Sequence, residues 1–234
     1  ASEPLPELPV KAVGIDFGFR VVRTEDGGKG LRVATISFGD KVEYVTLDSS
    51  WLARIDRSER LRSELDRMST LFWEQVKPLI SEDALSQLEE DDWFKVLAGK
   101  VRRSKAAYTS LLVKLCEAHN RQDAPLGEEV DAMMQTFRRE ALKTWEQAHH
   151  IKRRALDHRK HMYRNAAARI VRVAGLIGIK DTDFRQLAAL DDGAGNETDL
   201  VKTARANRTM AAPSELRMAI EQTAKREKRE LIKV

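Results

Sequence analysis

The stretch AVGIDFG, residues 12–18, decides how this chain folds. Val13 and Ile15 can line one side of a strand while Gly14 and Asp16 line the other, because successive side chains of an extended chain point to opposite faces. The run is apolar apart from one carboxylate and turns at glycine. Two more alternating runs follow, Leu31–Phe38 and Val42–Leu47. Gly27, Gly28 and Gly30 punctuate the approach to the first, and Gly39-Asp40 separates the two. The expectation is an acid-bearing strand followed by two hairpin-linked strands. An acid ending an apolar strand is usually structural, so Asp16 counts as a metal or phosphate candidate only if the rest of the chain supports it.

The period changes after Ser49-Ser50. Leu52, Ile55, Leu61, Leu65, Met68, Phe72 and Val76 recur at helical spacing, with Lys77-Pro78 as the stop. A second helical stretch from near Ser81 carries Leu85, Leu88, Trp93, Phe94 and Leu97; a third carries Val101, Tyr108, Leu111, Leu112 and Leu115. This aromatic and aliphatic stripe reads as core. From Glu128 the pattern is helical for a long way, with Met134, Phe137, Leu142, Trp145, Ala148, Leu156, Tyr163 and Ile170 along one apolar face.

The other faces of that helix are basic from His149 onward. Lys152, Arg153, Arg154, Arg159, Lys160, Arg164, Arg169 and Arg172 stand against one acid, Asp157. Solvated helix faces normally mix signs for i,i+4 pairing, and this one barely does. Such self-repulsion is tolerable when a polyanion neutralises it, which points to phosphate contacts that position a nucleic acid. His149, His150, His158 and His161 lie on the same helix, but neighbouring arginines make them poor hosts for a divalent cation, so no zinc site is expected.

Next comes GLIGIKDTDF, residues 175–184, an apolar run ending in polar residues and read as a strand rejoining the first sheet. Phe184–Leu190 reads as a short helical turn and DDGAGNET, 191–198, as a turn-rich segment. Arg205 and Arg208 follow as further cations. Pro213 opens an amphipathic helix, and Leu231–Val234 begins another β run.

Composition bounds the answer. The chain has 234 residues, a formal net charge of +4 and 33% charged residues, so the distribution of charge says more about partners than its total. Cys116 is the one cysteine, which excludes a disulfide framework and a cysteine zinc ribbon and fits a reducing compartment. The lead-in ASEPLPELPV is proline-rich and acidic and has no secretion-signal pattern, and no apolar run approaches bilayer length.

Taken in order, GIDFG at 14–18, RRALDHRKHMYRN at 153–165, GLIGIKDTDF at 175–184 and NRTMAAPSELRMAI at 207–220 resemble the RuvC-like region of type V CRISPR RNA-guided effectors and their TnpB relatives. The closest look is to the miniature type V-M-like branch. The resemblance implies an α/β, RNase H-like (RuvC) mixed sheet with a large helical insertion and a long basic helix. Residues 1–50 would be the first half of the sheet, 51–142 a recognition-type insertion, and 143–234 the basic helix and a truncated second half. It implies a bacterial cytoplasmic module of antiviral defence that binds guide RNA and target DNA as part of a larger effector polypeptide. In that family base pairing reads sequence while the protein reads backbone and shape. The nucleic-acid-binding candidates are Lys152, Arg153, Arg154, Arg159, Lys160, Arg164, Arg205 and Arg208.

Family nucleases use three acids with Mg2+. Asp16 matches the first and is the metal candidate. The second position falls on Lys180; Asp181, one residue on, is the nearest acid but would point to the opposite face of a strand. The third lies beyond Val234. Two-metal cleavage needs carboxylates holding cations about 4 Å apart, and a lysine among them repels metal. With Asp16 and Asp181 as catalytic candidates, the expectation is binding with cleavage impaired or absent. The alternative is an active metal-dependent endonuclease using Asp16 with Asp181 or Asp183. An actin/Hsp70-like nucleotide binder would need a second phosphate turn after a strand, whereas DDGAG follows a helical segment. A helical interaction protein with an acidic partner is the remaining reading of the basic helix.

Overall fold

A computed structural model describes residues 10–24, 27–86, 88–89, 92–121, 126–181 and 206–234. The elements are β1 (Val10–Arg23), β2 (Lys29–Phe38), β3 (Lys41–Leu47), α1 (Ser49–Val76), α2 (Glu82–Ser86), α3 (Trp93–Arg103), α4 (Thr109–Asn120), α5 (Glu128–Val173), β4 (Ala174–Ile179), α6 (Pro213–Arg226) and β5 (Glu230–Lys233). They form two compact units: residues up to Ala53 with Arg154–Val234, and Arg54–Arg153. The boundaries fall within α1 and α5.

The first unit is mixed α/β, built on a five-stranded sheet of order β3-β2-β1-β4-β5. β1 pairs β2 and β2 pairs β3 antiparallel, as short hairpin connections require; β4 pairs β1 and β5 pairs β4 in parallel, which needs crossovers. The two-residue connection between β2 and β3 opens on Gly39 at φ 64, a backbone state that side chains with a Cβ rarely adopt. The alternation read from AVGIDFG holds: Val13 and Ile15 are buried, and Gly14 and Asp16 are exposed. Ile177 and Ile179 of β4 and Val45 and Leu47 of β3 are buried too. Side chains of this kind each contribute about 1.5–3 kcal/mol of burial free energy. Trp51, fully buried, donates its indole N–H to the Ala155 carbonyl at 2.7 Å. This satisfies the polar edge of the largest side chain in the core.

The second unit is helical. Phe72 and Phe137 stack at 4.0 Å within a core that also holds Val76, Phe94, Leu97, Leu112, Leu115 and Met134. The second and third helical stretches read from the sequence divide differently in the structure. Asp92 caps α3 by accepting from the Phe94 and Lys95 amides at 2.7 and 3.2 Å, so a new helix starts there. Val101 accordingly belongs to α3, and Tyr108 is the N-cap of α4. The turn expected at 184–190, the segment 191–198, Asp183 and Arg205 lie outside the described residues. Among the described residues no helix is long and apolar enough to cross a membrane.

Candidate nucleic-acid interface

Parallel register sets the position of Asp16. Ile15 is opposite Ile179, and the Lys180 amide donates to the Ile15 carbonyl at 3.1 Å. Asp16 and Lys180 are therefore neighbours on one face of adjacent strands, with Lys180 Nζ 3.6 Å from Asp16 Oδ1. Their side chains are 59% and 65% exposed, so the pair contributes at most about 1 kcal/mol to stability. Asp181 goes elsewhere. Its amide donates to the Val234 carbonyl at 2.9 Å, and its carboxylate lies 3.4 Å from the Arg217 guanidinium on α6. The two acids singled out as catalytic candidates are thus not brought together. Among the described residues no group of three His, Cys, Asp or Glu side chains is placed to hold a metal ion. One carboxylate with an ammonium against it does not fit the oxygen-rich set that Mg2+ requires.

The cations of α5 separate into distinct roles. Within the first unit, Arg154, Lys160 and Arg164 are exposed. Arg159 corrects the sequence reading: it is 5% exposed and points into the unit. Its guanidinium donates to the Met210 carbonyl at 2.5 Å and to Glu215 at 2.9 Å, so it is committed to holding α5 against α6 and is unavailable to a phosphate. One turn further on, the Tyr163 hydroxyl donates to the Ala211 carbonyl. Burial pushes the Tyr163 phenol well above its ordinary range, so it stays a donor. Arg169 pairs with Glu43 of β3. Arg208 is half-buried. Lys152, half-buried, and Arg153, exposed, belong to the second unit.

Between α5 and α6 lies a groove of about 770 Å³ whose lining includes Lys160, Arg164, Asn165, Gln222 and Arg226, with Met218 among them. Cations line it from both helices, Glu215 lies in the lining beside them, and Arg226 is paired with Glu227 at 3.1 Å. Arg226 and Gln222 were not singled out from the sequence, although their i,i+4 spacing on a helix matches that of Lys160 and Arg164. The highly charged end of α6 was the available signal.

In the second unit the sequence missed His119, which is fully buried. Its Nδ1 lies 3.2 Å from Asp131, and its Nε2 accepts the Leu126 amide at 3.2 Å. Accepting at Nε2 while donating at Nδ1 is a neutral tautomer, and desolvation lowers the His119 pKa accordingly. Burial raises the Cys116 thiol to about 12, leaving it inert.

No family model matches the sequence. Two known proteins do. A CRISPR-associated DNA-binding protein Cas12m from Pelobacter propionicus is 32% identical over 214 residues, which is 90% of this chain and 30% of that protein. Another, from Gordonia otitidis, is 34% identical over 103 residues, 44% of this chain and 17% of its own length. The chain therefore spans less than a third of the relatives it matches. The motifs' resemblance is thereby matched by homology: over nine-tenths of its length, this chain is a relative of type V CRISPR-associated DNA-binding proteins.

Proposed function

We propose that this chain is a nucleic-acid-binding module of an RNA-guided, DNA-targeting effector, in which a RuvC-like sheet presents α5 and α6 to the guide RNA–target DNA duplex. The observation that carries the reading is the groove lined by Lys160 and Arg164 from one helix and Arg226 from the other. Three cations on two facing helices, with the Asn165 and Gln222 amides between them, suit a sugar–phosphate backbone and read no base. The relatives' name supplies DNA as the ligand class. The strand order and the position of Asp16 support an RNase H-like sheet, and the ammonium beside Asp16 supports binding without cleavage. The module acts as one part of a larger polypeptide in the bacterial cytoplasm.

The test is fluorescence anisotropy with an RNA–DNA hybrid. Neutralising three phosphates gives a log–log salt slope near −2.7, so affinity falls about 40-fold between about 50 and about 200 mM salt. Reversing Lys160, Arg164 and Arg226 to glutamate abolishes binding and leaves the circular-dichroism melt in place. Retained binding by that variant overturns the reading.

A further inference from the structure

The sequence reading sets Trp145 on the apolar face of the long helix, and the structure leaves it outside. Trp145 is 52% exposed. Its indole stacks on the imidazole of His149, one helical turn on, with centroids 5.2 Å apart and planes 13° from parallel. The two side chains at i,i+4 thus stack ring on ring, each covering one face of the other and leaving an outer face to solvent on the outside of α5. The other tryptophans of this unit are partnered differently. Trp73 has the Lys77 ammonium 4.4 Å from its ring centroid and donates its N–H to Ser104. Trp93 has Lys100 at 5.9 Å. Those rings already face a cation, whereas the Trp145 indole stacks on a second aromatic ring.

The charges around this surface favour a polyanion. Residues 143–153 hold Lys143, Lys152 and Arg153 against Glu146 alone, a net of +2 with the histidines neutral. An aromatic platform with cations on the same stretch of helix matches the chemistry of an unpaired nucleotide: a base over the rings and phosphates toward the lysines. A paired base inside a duplex offers no free face to such a platform.

We propose that Trp145 and His149 form a stacking site for an unpaired nucleobase of a single-stranded nucleic-acid segment. The inference rests on the nucleic-acid function argued above and adds a ligand feature, the base face, that the cationic groove does not read.

The test uses the full chain and two oligonucleotides of about ten nucleotides, thymidylate and an abasic backbone of equal charge, beside the RNA–DNA hybrid. The expected result is thymidylate binding at least about fivefold tighter than the abasic strand, from one stacked base. Trp145→Ala erases that preference while keeping the abasic and hybrid affinities, and Trp145→Phe retains most of it. Unchanged melting of both variants confirms that the fold is intact, as the exposure of Trp145 leads one to expect. If Trp145→Ala keeps the preference, or the wild type shows none while still binding the hybrid, the stacking site is wrong and the groove stands. If the hybrid and both strands fail to bind, the nucleic-acid function itself fails. If Trp145→Ala instead abolishes self-association of the chain and no base preference exists, the surface is a protein contact and the proposal is overturned.

Discussion

Arg159 shows how far charge alone can mislead. In sequence it is one more cation among RRALDHRK; in the structure its guanidinium is spent on Met210 and Glu215 inside the first unit. Removing the buried guanidinium leaves the Met210 carbonyl without its donor and Glu215, itself 32% exposed, without its cation, at a cost of up to about 3 kcal/mol. We therefore expect Arg159→Ala to lower stability by about 3 kcal/mol in urea unfolding, where Arg154→Ala changes it by less than about 0.5 kcal/mol. Equal effects of the two substitutions would contradict the assignment. The sequence carried no sign of this difference, because burial of a helix residue depends on what packs against its face, here the 206–211 helical turn and α6.

At the scale of elements, the strands were the more legible part. AVGIDFG announced which residues face inward, and the pairing of β1 with β4 placed Lys180 beside Asp16, as the shared face required. Local alternation suffices for such a reading because each strand repeats every two residues. The long helix was harder. Its apolar stripe ran continuously through Trp145, yet that ring lies outside, since the buried row here runs through Ala141, Thr144 and Ala148. The Asp16–Lys180 pair carries its own prediction. Lys180→Glu replaces the ammonium with a second carboxylate at a position already in register. The variant is expected to bind Mn2+ measurably by calorimetry where the wild type gives no heat, and Lys180→Met is expected to remain silent. Equal heats for all three would mean that the strand register does not set up a site.

At the scale of the whole molecule, stability carries a pH signature from one interior group. His119 is held neutral by burial, with its ring bridging Asp131 and the Leu126 amide. Its folded pKa lies below the ordinary value near 6.5, so the unfolded chain binds the proton first as pH falls. The helical unit is thus expected to keep this contribution above about pH 6.5 and to lose it progressively below, until the folded ring titrates as well. Urea midpoints across this range should fall more steeply for the wild type than for His119→Gln; parallel curves would rule the mechanism out. None of this was visible in the sequence, where His119 and its partner Asp131 stand twelve residues apart. A contact of that span is decided by how two helices meet.

The paired anchors at Arg159 and Tyr163 have a further consequence. Both lie one turn apart on α5, and both grip the backbone at Met210 and Ala211 just ahead of α6. They act as a fixed gauge for the two helices: the backbone spacing between Lys160 and Arg164 on one and Arg226 on the other is set by the fold itself. On the proposed function, a sugar–phosphate backbone would meet two helices already spaced, and only the exposed side chains, Arg226 at 71% among them, would remain to be ordered on association.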